Sequence, residues 1–218
     1  MKDLVKNAGL LPEVDKFAIS DFVANVLVPI VGAHPYPLDE MMLMVSAVAL
    51  AKPKYIFEWG THIGKSARIF HETVKFLELP CEIHSIDLPD DVEHNEHPKE
   101  HHAEFVKGIS EVQLHRGDGI IKALELCNGK SKDDSFLFFV DGDHSYNSVK
   151  RELELIFKNI PLATVLIHDT FYQADKSGYN VSPCQAVLNS VTGERNILDV
   201  FLITTNLGLP GMALICKK

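Results

Sequence analysis

From residue 54 onward the chain alternates short, continuous apolar runs with longer stretches in which apolar residues recur at helical spacing. Short runs rich in β-branched and aromatic residues read as strands, and the periodic stretches as helices. The pattern predicts a strand opening at Tyr55, then strands at Glu82–Ile86, Val112–His115, Phe136–Val140, Ala163–Ile167, Ile197–Thr204 and Met212–Cys216. Helices are predicted at Ser66–Leu77, Ala103–Gly108, Ile120–Leu126 and Val149–Asn159, with one more before the sixth strand. Phe136–Val140 contains no polar residue, the mark of a strand covered on both faces. Such alternation implies a mostly parallel sheet with helices on both sides, a doubly wound α/β, Rossmann-like architecture. Only Asn206–Gly211 separates the last two strands, too few residues for a crossover, so they close a seven-stranded sheet as an antiparallel hairpin.

Upstream, residues 1–37 place apolar side chains at Leu4, Val5, Leu10, Leu11, Phe17, Phe22, Val23, Val26 and Leu27. This reads as one or two amphipathic helices ending near Pro29, an N-terminal helical cap. His34-Pro-Tyr-Pro37 reads as a rigid extended connector, because each proline pushes its predecessor out of the helical region. The main domain then spans 38–218. It opens with an apolar helix, Leu38–Leu50, whose Asp39 and Glu40 sit in the first turn and complement the helix dipole. The methionines of that helix read as core filler.

Length and charge narrow the function. A chain of 218 residues fits one α/β domain with a short appendage. Its 21 Lys+Arg against 30 Asp+Glu give a net charge of −9, which argues against a nucleic-acid partner. Cys81, Cys127, Cys184 and Cys216 lie far apart with no C-x-x-C pair, so neither a zinc knuckle nor a disulfide framework is expected, and a cytoplasmic location is. Neither a signal peptide nor a membrane span is expected, since Met1–Pro12 has no unbroken apolar core and Val23–Val31 is short. A homo-oligomer is compatible with all of this.

The chemistry gathers at strand ends. The stretch Glu58-x-Gly60-x-x-x-Gly64-x-Ser66 reads as strand, tight turn and helix start, and it differs from the Gly-x-Gly-x-x-Gly dinucleotide fingerprint. An acid before the turn suits a cationic ligand end better than a diphosphate. Later strands finish at Asp87, at Asp118 just past its strand, at Asp141, and at His168 with Asp169. A single strand-ending Asp is often only a helix N-cap. Five in a row converge on the crevice that an open parallel sheet forms beyond its carboxyl ends. His94, His97, His101 and His102 crowd a polar loop with no cysteine nearby, and read as solvated rather than as a metal site.

Taken in order, these residues resemble a class I S-adenosylmethionine (SAM)-dependent methyltransferase over roughly Tyr55 to the C-terminus. The resemblance implies that Glu58 lies near the methionine amino group, Gly60, Gly64 and Ser66 under the cofactor, Asp87 on the ribose hydroxyls and Asp118 near the adenine. Phe138-Phe-Val-Asp-Gly-Asp-His-Ser-Tyr146 followed by Val165-Leu-Ile-His-Asp169 is similar to the branch of small-molecule O-methyltransferases that includes macrolide-sugar and cephalosporin-biosynthesis enzymes. That likeness implies a metal on Asp141, His168 and Asp169, with His144 as the catalytic base and a small hydroxylated molecule as acceptor. His168 stands where the branch has an acid, which weakens the case for Mg²⁺ and leaves Mn²⁺, Fe²⁺ or no metal open. Two alternatives remain at this stage, a non-catalytic SAM-binding module or partner subunit on the same fold and, less favoured, a nicotinamide-dependent oxidoreductase.

Overall fold

The computed structural model describes residues 15–89, 91–92, 101–171, 182–192, 200–205 and 208–217. Strands β1 (Tyr55–Trp59), β2 (Glu82–Asp87), β3 (Val112–Arg116), β4 (Phe136–Val140), β5 (Thr164–His168), β6 (Val200–Thr204) and β7 (Met212–Lys217) form one sheet in the order β3-β2-β1-β4-β5-β7-β6. The first five run parallel, and β7 lies antiparallel between β5 and β6. Helices α1 (Lys16–Phe22), α2 (Val28–Val31), α3 (Leu38–Ala51), α4 (Lys65–Phe76), α5 (Gly119–Cys127), α6 (Tyr146–Asn159) and α7 (Ser182–Thr192) accompany it.

Every residue of β1, β4 and β5 is buried, so the central strands have no solvent face to mark with polar residues. Alternation along each strand divides the core in two. Ile56, Leu137, Phe139 and Leu166 pack with α1, α3 and α4 on one face. Phe57, Phe138, Val140, Val165 and Ile167 pack with α5, α6 and α7 on the other. Ile19, Phe22, Val23 and Leu27 of the N-terminal segment belong to the first of these cores, together with the sheet.

Local differences from the sequence expectation have local causes. The N-terminal helical path does not stop at Pro29. It passes through a π turn at Val23–Leu27, where Val28 N bonds Val23 O, and continues to Gly32, whose φ of 73° ends it. Proline's missing N–H falls where the helical ladder has already shifted, so it breaks nothing further. The helix expected at Ala103–Gly108 is a single 3₁₀ turn, Glu104–Val106, bounded by left-handed residues at Ala103 (φ 56°) and Gly108 (φ 81°). His94 and His97 lie outside the described residues. Among the described residues no helix is long and apolar enough to cross a membrane.

Candidate active site at the strand ends

Strand order reverses between β1 and β4, and there the two loops touch. A Cβ on Gly60 would run into the carbonyl oxygen of Asp141, and Gly60 has φ 91°, so only glycine closes this junction. Gly60 N is held by Ile86 O at 3.0 Å. Gly64 then caps α4 in the left-handed region without a side-chain hydrogen bond, leaving the first N–H groups of the helix to a ligand or solvent.

On the β1–β2 flank, Glu58 is completely buried. Parallel register sets it beside Ser85, whose hydroxyl donates to Glu58 Oε1, while Oε2 accepts no hydrogen bond. Burial lifts the Glu58 carboxyl to about 7, and the Ser66 and Ser85 hydroxyls offset only part of that rise. Asp87 accepts from Leu88 N at 2.9 Å and His62 N at 3.2 Å, with His102 Nε2 at 3.0 Å and Arg116 Nη1 at 3.8 Å. His101 of the same loop turns to Glu104 instead, at 2.9 Å.

On the β4–β5 flank the ionisable groups hold one another. Asp141 Oδ2 accepts from Tyr36 Oη at 2.6 Å and Asp141 Oδ1 meets His168 Nδ1 at 3.1 Å. His168 Nε2 lies 3.1 Å from Glu40 Oε2, and Glu40 Oε1 accepts from Gly211 N at 2.8 Å. An imidazole with a carboxylate at each nitrogen donates from both and is therefore the imidazolium. Burial works against that charge, but Asp141 and Glu40 outweigh it and push His168 up to about 10. His144 Nδ1 is 2.7 Å from Asp169 Oδ2, and its Nε2 is 3.6 Å from Asp141 Oδ1. Burial opposes protonation of His144 as well, and the hydrogen bond to Asp169 with the charge of Asp141 more than reverses it, raising its pKa. Asp169 adopts φ 57°, a strained conformation for a residue with a Cβ, and the next residue is tied to the last turn by Thr170 N to Gly211 O at 3.0 Å.

The residues named from sequence thus fall on two flanks of one crevice: Glu58, Gly60, Gly64, Ser66 and Asp87 on one, Asp141, His144, His168 and Asp169 on the other. Asp118 caps α5, accepting from Ile121 N at 3.1 Å, and its other oxygen pairs with Arg151 at 2.9 Å. Asp141, His144 and Asp169 each offer a donor atom, all within 4.8 Å of one another, whereas His168 stands outside that group. Sequence reading missed Tyr36 and Glu40. Tyr36 looked like part of a connector and Glu40 like a dipole partner, yet both are buried against the β4–β5 flank. Their contacts bridge 105 and 128 positions, and the one local hint was an acid within a strongly apolar helix.

Comparison with known proteins places the fold. The family model described as a methyltransferase domain matches residues 57–170, just over half the chain and all of the β1-to-β5 frame but the first two residues of β1. No curated protein matches in sequence. Among solved structures, the O-methyltransferase TomG from Streptomyces achromogenes, involved in tomaymycin synthesis and in complex with SAM, aligns with TM-score 0.60 at 15% identity over 99% of this chain and 95% of that one. The SAH-bound methyltransferase PaMTH1 of Podospora anserina gives 0.59 at 17% identity, covering 99% and 96%. An O-methyltransferase from Bacillus cereus in complex with SAH gives 0.58 at 14%, covering 99% and 96%. At such identities the likeness is one of fold. With the domain match over its central strands, the chain belongs to the methyltransferase domain family, built on the class I SAM-dependent methyltransferase fold.

Proposed function

We propose that this protein is a SAM-dependent O-methyltransferase of a small hydroxylated acceptor, working in the cytoplasm, with His144 as its general base. The observation that carries this reading is the pairing of Glu58 and Asp87 on one flank with the His144–Asp169 couple on the other, across the β1/β4 reversal. Glu58 Oε2 is a buried acceptor without a donor, and the ammonium of a methionine moiety would supply both proton and charge. Asp87 can accept two vicinal ribose hydroxyls. Gly60, Gly64 and Ser66 would underlie the cofactor, and Asp118, engaged by its own helix, would only border the adenine. The neighbouring folds solved with SAM or SAH support the cofactor.

The chain's own residues then carry the proton. Asp169 holds His144 Nδ1–H, fixing the tautomer in which Nε2 carries the lone pair. SAM, when bound, would supply its methyl group to the acceptor oxygen and keep the carbon–sulfur electron pair as a thioether, and the hydroxyl proton would pass to His144 Nε2. The products are a methyl ether, the neutral thioether and an imidazolium that releases its proton to solvent. Because Asp169 and Asp141 raise the His144 pKa, turnover should climb with pH to above the ordinary histidine range.

A divalent metal on Asp141, His168 and Asp169, as the resemblance implies, does not suit these residues. With a carboxylate at 3.1 Å from each ring nitrogen, His168 is held as a donor on both sides and, so paired, has no lone pair to give a metal. Asp141, His144 and Asp169 are close enough to share a cation, but that arrangement would consume the base. We therefore derive no step through a metal.

The test is to incubate the protein with SAM and a panel of phenols, catechols and sugars, reading the demethylated cofactor and methyl ether by mass spectrometry. Ether formation that disappears in His144→Ala is the expected outcome. Methylation at nitrogen or carbon, or an unchanged rate in His144→Ala, contradicts the reading.

A further inference from the structure

Two carboxylates as buried as Asp141 and Asp169 need positive charge nearby, and in this fold the chain can provide it itself. His168 Nδ1 is 3.1 Å from Asp141 Oδ1 and 3.8 Å from Asp169 Oδ2, so one imidazole serves both acids. Its far nitrogen is anchored by Glu40, which is only 1% exposed and has no role in the proton transfer above. Glu40 is fully specified in turn, since its second oxygen takes the N–H of Gly211 in the turn before β7. Tyr36 packs its ring edge-on to the His168 ring at 5.0 Å and gives its hydroxyl to Asp141. The N-terminal segment and the last turn thus converge to seat one imidazole.

We infer that the His168 imidazolium is a resident cation standing in for a metal beside Asp141 and Asp169, with Glu40 as the positioning residue that keeps it there. This deepens the methyl-transfer reading above and rests on it. A fixed imidazolium between the carboxylates repels a divalent cation and takes the hydrogen-bonding capacity that such a cation would need. It also offers no open coordination positions. An acceptor therefore has no need of a second, chelating oxygen, and a lone hydroxyl suffices where a metal-dependent site would select a catechol or a vicinal diol.

The test is titration of Mn²⁺ into the whole protein, followed by electron paramagnetic resonance, with SAM calorimetry and circular dichroism in parallel. Wild-type protein should bind Mn²⁺ more weakly than about 1 mM. The double variant Glu40→Gln, His168→Glu, which restores an acid at 168 and keeps the number of buried carboxylates while removing the imidazolium, should bind it at least about tenfold more tightly. Histidine ¹⁵N spectra add a signature that a merely structural pair would not give: the His168 signal, assigned by its loss in His168→Ala, should show protons on both nitrogens in wild type and on one only in Glu40→Gln. Micromolar Mn²⁺ binding by the wild type overturns the inference whether or not the double variant folds, as does a wild-type His168 with an unprotonated nitrogen. A folded double variant with no gain in Mn²⁺ affinity overturns it too. Loss of SAM binding in the wild type would instead count against the methyl-transfer reading, which separates the two failures.

Discussion

On the β1–β2 flank, Glu58 is met by the neutral hydroxyls of Ser85 and Ser66, and its Oε2 accepts no hydrogen bond. On the β4–β5 flank, Asp141 has a partner on each oxygen and His168 a partner on each nitrogen. The first flank keeps a buried acid that burial lifts to about 7, while the second partners both oxygens of Asp141 and holds the histidine beside it up to about 10. One flank is thus shaped to receive a cation from outside, and the other carries its own. A cofactor that brings an ammonium on its methionine end would fit the first, and proton transfer at a fixed geometry fits the second.

The sharpest way to separate the flanks is His144→Ala. Loss of a positioned base should lower kcat by about 10²- to 10⁴-fold and leave SAM affinity nearly unchanged, as steady-state kinetics and calorimetry would register. A comparable loss of SAM affinity would mean that the flanks are not separate. Gly60→Ala strikes the junction that both share. Its Cβ would meet the Asp141 carbonyl oxygen at a positive φ, so a loss of about 2 to 4 kcal/mol in thermal or denaturant stability is expected, with weakened cofactor binding. Asp87→Ala touches the first flank alone. Removing an acceptor for two hydroxyls should cost SAM about 1.5 to 3 kcal/mol in calorimetry, with any remaining turnover keeping its pH limb.

A further effect, spread over pH rather than set by a single variant, is a pH dependence arising on the β1–β2 flank. The folded state raises Glu58 from 4.5 to about 7, so the folded protein keeps a proton that the unfolded chain has lost. The stability from this group is complete below pH 4.5 and is lost as pH rises to about 7, by at most about 3 kcal/mol. Over the same range SAM affinity should move the other way, strengthening up to about tenfold per pH unit as the carboxylate forms. Glu58→Gln should flatten both curves, and urea denaturation and calorimetry at pH 5, 6, 7 and 8 would show whether it does.

The contrast also explains what could be read from sequence. Fully buried parallel strands write their positions as apolar runs, so Phe136–Val140 was located to the residue. The β1–β2 flank was readable because strand, turn and helix start lie within a dozen positions and glycine is forced where backbones cross, as at Gly60. The second flank was only half readable. Asp141, His144 and Asp169 stand at strand ends and could be named, but the state of His168 depends on Glu40 and its setting on Tyr36, both brought in from before β1. No local pattern encodes such a contact. Pro29 misled for a related reason, since its tolerance depends on a π turn that periodicity cannot show.

The most direct test of this division is calorimetric titration of SAM into wild-type, Asp87→Ala and His144→Ala proteins side by side. One-to-one binding of equal strength is expected in the wild type and His144→Ala, with Asp87→Ala roughly 10- to 100-fold weaker. Absence of SAM binding by the wild type, or the same affinity in all three, would contradict it.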